Sequence, residues 1–224
     1  LTTSGTYAFN PSLGDLVLYA FGMCGVRRTA VLQEHMQDAR MAANLVLADW
    51  SLKGINLWQV DKVVVPLVQG VGVYALDPSV IVMLDTYVTA SGVDRIILPV
   101  SRTEYASYPN KSQQGFPATF WMSRTLSPVV SIWPVPDGNE SSLTAYVLKQ
   151  AQDAEFINGQ QVAVPVAWVK AFASALAAQL AISWAPDRLA FLAPAAEKDY
   201  NAASSNNVET AQQYISPQIS GYFR

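Results

Sequence analysis

Hydrophobic and polar positions change period along this chain, and the changes divide it into three parts. From Leu13 to Cys24, apolar residues at Leu13, Leu16, Val17, Ala20, Phe21 and Cys24 keep the three-and-four spacing of one helical face. Ser12 stands where an N-cap belongs, and Gly25 where such a helix ends. A connection over 27–32 leads to a second helix, expected from about Gln33 to Leu52. Its stripe is Met36, Ala39, Ala43, Val46, Leu47 and Trp50, and Lys53-Gly54 suits its end. After Asn56 the period falls toward two. Val63–Val68, with Pro66 inside it, Val73–Leu76, Val80–Ala90 and Arg95–Val100 read as strands, with turns at Gly70–Gly72 and Ser91–Asp94. Pro66 marks the first strand as a sheet edge, because proline cannot donate to a ladder.

The stretch Ser101–Asp137 is the most heavily punctuated. Ser101 and Glu104 have capping-box spacing for a short helix, which Pro109 stops. Two strands follow, one around Phe120-Trp121 and one over Val129–Trp133, joined by a turn at Ser127-Pro128. Proline and glycine at both ends predict a rigid hairpin. A last strand with alternating character covers Ser141–Lys149, and six or seven strands in an antiparallel meander are expected. After a loop over 153–163, Pro165 reads as the first residue of a long helix. Val169, Phe172, Leu176 and Leu180 line one of its faces and Trp168, Ala171, Ala175 and Ile182 the other, so it is expected to be buried on most sides. Asp187 is placed as the cap of a final helix reaching about Ala203. Beyond it no helical period remains.

Composition changes this picture in one respect. Half of the chain, 51%, is hydrophobic, while charged residues make up only 14%, against about a quarter in ordinary globular proteins. Either the core is larger than average or part of the apolar surface is covered by neighbours. The net charge of −3 lacks the basic excess that neutralises phosphates in a general DNA binder. The single cysteine, Cys24, permits no internal disulfide and reads as a small buried hydrophobe. The first residues show no signal-peptide pattern. The uncharged stretch Ala171–Pro186 is shorter than a membrane span needs, so a soluble protein is expected.

Candidate chemistry is sparse. His35 is the only histidine, and no serine has the context of a nucleophile elbow. One cysteine and one histidine cannot build the usual zinc site. Gly70-Val71-Gly72 lacks the third glycine and following helix of a dinucleotide loop. Glu34 and Asp38, one turn apart, could mimic a catalytic carboxylate pair, but carboxylates in a first turn ordinarily serve the helix dipole. Accordingly no catalytic, cofactor-binding or metal-ligating residue is assigned, and no enzymatic activity is expected.

Several motifs resemble one known family. Lys111-Ser112, then Gly115–Trp121, then Ile132–Asp137 look like the centre of the head-to-tail adaptors of tailed bacteriophages, also called head completion or packaged-DNA stabilisation proteins. Leu18–Gly22 is similar to that family's first helix. Asn44, Leu47, Trp50 and Gly54 match its second, and Pro165 and Trp168 with the alanine-rich run after them match its long one. The resemblance covers most of 12–203 and implies an α+β fold, in which a helical bundle from both chain ends joins a central antiparallel β-rich domain. The expected division is 1–56 and 164–204 for the bundle, 57–163 for the β-rich domain and 205–224 for an extended arm. The resemblance also implies a structural virion protein at the neck, assembled in the host cytoplasm. It would form a dodecameric ring on the portal protein, help retain DNA, and offer a platform to the tail nozzle or other tail proteins. Double-stranded DNA would cross the channel without specific binding, as the acidic balance suggests. The arm carries Tyr214, Ile215, Ile219, Tyr222 and Phe223, anchors of the type enriched at interfaces, and these are the candidate portal-binding residues.

Two other classes fit less of the chain. A cell-wall (peptidoglycan) hydrolase acting during infection lacks its acid–base pair. A carbohydrate-binding β-module could stack sugars on Trp121 and Trp133, but has no use for the long apolar helix.

Overall fold

The structure, a computed structural model, describes residues 3–6, 9–54, 56–155 and 159–207. Its helices are α1 (Leu13–Met23), α2 (Gln33–Leu52), α3 (Arg102–Ser107), α4 (Val166–Trp184) and α5 (Leu189–Ser204). Its strands are β1 (Val60–Pro66), β2 (Val73–Ala75), β3 (Val80–Ala90), β4 (Val93–Ile96), β5 (Leu98–Pro99), β6 (Thr119–Ser123), β7 (Val129–Trp133) and β8 (Glu140–Lys149). The fold is α+β, as expected.

Local signals set most boundaries. The Ser12 hydroxyl oxygen accepts the Asp15 N–H at 3.2 Å and opens α1. Gly25 closes it with φ at 86°, a left-handed conformation that glycine adopts without strain. The Ser101 hydroxyl likewise accepts the Glu104 N–H at 3.1 Å and opens α3. Two expected caps move. Pro165 occupies the N-cap of α4 rather than its first turn. Asp187 lies inside a 3-10 turn over Pro186–Arg188, so α5 starts one residue later than a capping Asp187 would require, with Arg188 at its N-cap. The turn is continuous with α5, because Leu189 donates back to Pro186, and no boundary is left for Asp187 to cap.

α4 packs against α1, α2 and α5 and fills the bundle core. It is long and apolar enough to cross a membrane by length and composition, but more than half of it is buried within the protein, which marks a core helix. Trp50 of α2 is at the centre of an aromatic cluster. Its ring lies 5.2 Å from Trp168, 5.7 Å from Tyr200 and 6.1 Å from Phe172. Arg188 reaches across to α1, where its guanidinium donates to the Met23 carbonyl at 3.1 Å.

The strands do not form a meander. They make two four-stranded sheets, ordered β1-β8-β3-β4 and β2-β7-β6-β5. The last strand, β8, inserts between β1 and β3, so the chain's first and last strands pair. Ile97 is the corner where the chain leaves the first sheet for the second. It is buried, its N–H donates to Thr86, and the next N–H, of Leu98, donates to Ala118. The corner turns β5 parallel to β6, the one departure from antiparallel pairing among the described strands. A second core between the sheets includes Val88, Ile97, Phe120, Val130, Ile132 and Leu143. β1 is an edge, as Pro66 indicated. The alternation expected in β8 is partial, because Thr144 and Leu148 are buried on the side opposite Leu143, Ala145 and Val147.

Polar clamps join the helical and β-rich parts. The Asn44 amide donates to the Ala154 carbonyl at 3.0 Å and accepts its N–H at 2.9 Å, which fixes the loop after β8 to α2. Asn56 is buried and donates to the Trp50 carbonyl and to Gln59, both at 3.1 Å. At the end of α5, the Asn207 side chain accepts the Leu57 N–H at 2.9 Å.

Candidate functional site

His35 and Asp38, two of the side chains weighed as candidate chemistry, prove to have structural partners. His35 is buried at the start of α2. Its ring stacks on Trp184 at 4.0 Å and meets Phe21 edge-on at 5.3 Å. Its Nδ1 accepts the Leu32 N–H at 3.2 Å, so it satisfies one of the free donors at the helix start. Glu34 beside it is exposed, and Asp38 accepts the Trp184 indole N–H at 3.1 Å. His35→Ala therefore removes a cap and an aromatic contact together. It is expected to lower stability by about 1–3 kcal/mol, while Glu34→Gln leaves the melting temperature within about 1 °C. Thermal denaturation of both variants checks this, and an unchanged His35→Ala melt would contradict the assigned role.

Cys24 is buried against α4, with Sγ 3.4 Å from the Ala177 carbonyl. Burial pushes its thiol pKa up, against a smaller lowering by Arg188, so it is a poor nucleophile at neutral pH. Asp199 of α5 accepts from Lys170 and from the Ser174 hydroxyl, each at 2.7 Å, and those two bonds lower its pKa, Lys170 first. This bridge ties α5 to α4. Among the described residues no three His, Cys, Asp or Glu side chains gather as a metal site.

The aromatic hairpin is braced from within. Trp133 stacks on Tyr108 at 4.2 Å and donates its indole N–H to the Asn110 carbonyl at 2.9 Å. Trp121 stacks on Tyr105 at 5.7 Å. Lys111 caps α3 through the Ala106 and Tyr108 carbonyls, both at 3.1 Å. One face of each tryptophan is thus taken by the chain's own tyrosine, and α3 is held against β6 and β7. The tip of this stiff hairpin carries Leu126, which is 97% exposed.

What remains open on the bundle is apolar surface. α5 lies along α4 with a groove on each side. The groove toward α1, of about 530 Å³, is bordered by Phe9, Tyr19, Met23 and Val166, with Asp15 at its edge. The groove toward α2, of about 410 Å³, has Ala175 and Ala178 at its base and Leu45 and Ile182 beside them. α2 also carries a second apolar stripe, Met41, Leu45, Ala48 and Leu52, exposed on the side away from its buried one. Sequence reasoning recorded only the buried stripe, although the four-three-four spacing of the second was legible. The arm anchors Tyr214, Ile215, Ile219, Tyr222 and Phe223 lie outside the described residues.

Exposed apolar surface of this kind is the character of an assembly component, and comparison with known proteins agrees. A family model described as SU10 adaptor protein matches residues 18–218. No curated protein matches the chain. The matched stretch takes in all eight strands, α2 to α5 and half of α1, together with the aromatic hairpin and the polar clamps. The chain therefore belongs to the SU10 adaptor protein family, structural proteins of bacteriophage particles that act at the junction of head and tail.

Proposed function

We propose that this adaptor docks on the portal as a dodecameric ring, prolongs the DNA channel, helps retain the packaged genome and presents the surface to which the tail attaches. The observation that carries this reading is the family match across residues 18–218, nearly the whole described fold. The low charge content and the open apolar surface of the bundle support it, since both suit a subunit that meets neighbours on several sides. In this reading 1–56 and 164–204 act as one helical unit, 57–163 as the β-rich unit and 205–224 as an arm for the portal. Tyr214, Ile215, Ile219, Tyr222 and Phe223 are its anchors. The protein would assemble in the host cytoplasm and end at the neck of the virion.

DNA would pass without being gripped. With a net charge of −3 the subunit supplies little phosphate neutralisation, and a genome that must leave quickly gains from weak contacts. Electron microscopy of purified portal mixed with this protein is expected to show an added annulus. Filter binding of the same material is expected to retain no duplex DNA at micromolar protein and physiological salt. A protein that stays monomeric and unbound at high concentration would sink the ring, and submicromolar DNA affinity would sink the passive channel.

A further inference from the structure

The chain passes between the helical bundle and the β-rich part twice, and the two passages lie side by side. One is between Gln59 and Val60, the other between Gln150 and Ala151. Val60 pairs with Leu148 in the β1–β8 ladder, and the Gln150 N–H still donates to Ser79 of the β-rich part at 2.8 Å. The residues on the other side of each passage are fastened to the bundle. Trp58 and Ala151 pack on its core. Asn56 donates to the Gln59 amide oxygen, and the Gln59 amide nitrogen reaches the Ser51 hydroxyl at 3.4 Å. Asn44 grips Ala154 through two hydrogen bonds, and the Gln160 carbonyl accepts the Leu13 N–H at 2.8 Å. The hydrophobic cores of the two parts share no residue. Among the described residues, no bundle helix packs on a strand as it packs on its fellow helices. Two parts joined without a large apolar interface change their relative setting readily.

We infer, resting on the division into helical and β-rich units proposed above, that the β-rich unit tilts as a rigid body about the line through these two passages, with the Asn44 clamp as its latch. The working boundary of the units is then at the passages themselves. Two neighbouring passages define a single axis. Rotation about it changes backbone dihedrals only at a few residues beside Val60 and Ala151, as hinges do. Rotation in any other direction strains the ladder that joins Val60 to Leu148. With Ala154 gripped by Asn44, only residues 151–153 can absorb the movement at the second passage. Release of the grip lengthens that stretch and frees the tilt. A separate observation shows that the setting seen here carries a cost. The Trp58 indole N–H, on the bundle side of the axis, is buried with no acceptor among the described residues. Buried donors are almost always paired, so this orphan disfavours the setting in which it stands. Its ring packs 6.2 Å from Trp168 and is held by the bundle, so the β-rich unit is what moves relative to it and what brings the acceptor. Latch and orphan donor therefore favour opposite settings of one hinge. The tilt carries the hairpin tip at Leu126 with it and sets where that tip stands relative to the bundle.

Pulsed electron spin resonance on the full chain tests this, with spin labels on exposed positions in a Cys24→Ala background. Phe191→Cys with Ile96→Cys spans the hinge. Phe191→Cys with Met41→Cys stays within the bundle, and Ile96→Cys with Arg124→Cys within the β-rich unit. The spanning pair is expected to give a main distance and a minor one. Asn44→Ala is expected to raise the minor distance relative to the main one about tenfold, through the loss of two hydrogen bonds. Trp58→Phe, which removes the orphan donor, is expected to abolish the minor distance. Both internal pairs are expected to keep one distance throughout. Should Asn44→Ala fail to fold, the labelled chain with and without Trp58→Phe still decides. A spanning distance that stays single and unchanged in every folded variant overturns the hinge and leaves the two units standing. A minor distance that survives Trp58→Phe at full strength overturns the role of the orphan donor. Internal distances that change together with the spanning one show that the parts are not rigid bodies, and the division into units falls with the hinge.

Discussion

Trp50→Ala is expected to destabilise the helical bundle by about 3–5 kcal/mol, the usual cost of emptying a buried aromatic site. For a chain of this size that lowers the melting temperature by roughly 10 °C. The indole is 2% exposed and touches rings from two other helices, Trp168 and Phe172 of α4 and Tyr200 of α5. Its loss opens a cavity that no single neighbour can fill, because Trp168 and Tyr200 already hold each other at 5.7 Å. The Trp50 carbonyl also accepts from Asn56, so movement of the last turn of α2 would loosen the junction with the β-rich part. Trp50→Phe keeps most of the volume and should cost less than half as much. Denaturant titration of both variants measures the difference. A loss below about 1 kcal/mol for Trp50→Ala would show that the bundle does not depend on this cluster.

Deletion of 208–224 is expected to abolish portal binding and to leave the melting temperature within about 2 °C. The argument is one of separation. Among the described residues, every buried member of the bundle core lies between Leu13 and Ala203. The last described contact of the chain, from Leu57 to Asn207, remains in the truncated protein. The deleted residues include Tyr214, Ile215, Ile219, Tyr222 and Phe223, a density of large apolar anchors that suits a partner's groove. Calorimetry and co-sedimentation with portal read the two quantities separately. A truncated subunit that unfolds shows that the segment belongs to its own fold. One that binds portal as before shows that the docking surface lies elsewhere.

These two expectations differ in how far they were legible in the sequence. Trp50 was placed in the buried stripe of α2 from its spacing alone, and it is there. Its aromatic partners were not foreseeable, since Trp168 and Tyr200 lie more than a hundred positions away and only the packing of α4 and α5 brings them close. The arm anchors were chosen from composition, which reports what a segment needs to bury and not where. The outer stripe of α2 shows the same limit from the other side. Its spacing was written in the chain, but which stripe of a helix faces inward depends on the helices around it.

The sequence by itself determined the elements and many of their ends. Helix and strand periods are local, caps act within three residues, and proline and glycine restrict the backbone where they stand. Hence α1 with its Ser12 cap, α2 from Gln33 to Leu52 and β3 from Val80 to Ala90 fall where the pattern places them. Tertiary structure alone decided which elements meet. It parted the strands into two sheets, slid β8 between β1 and β3, and turned β5 parallel at Ile97. It made the lone histidine a helix cap stacked on Trp184, and it supplied the end of α1 with a guanidinium from Arg188. An alternating strand satisfies its pattern against any sheet edge with the right register. Its partner is therefore selected by the burial of both cores together, a property of the whole chain that no local window contains.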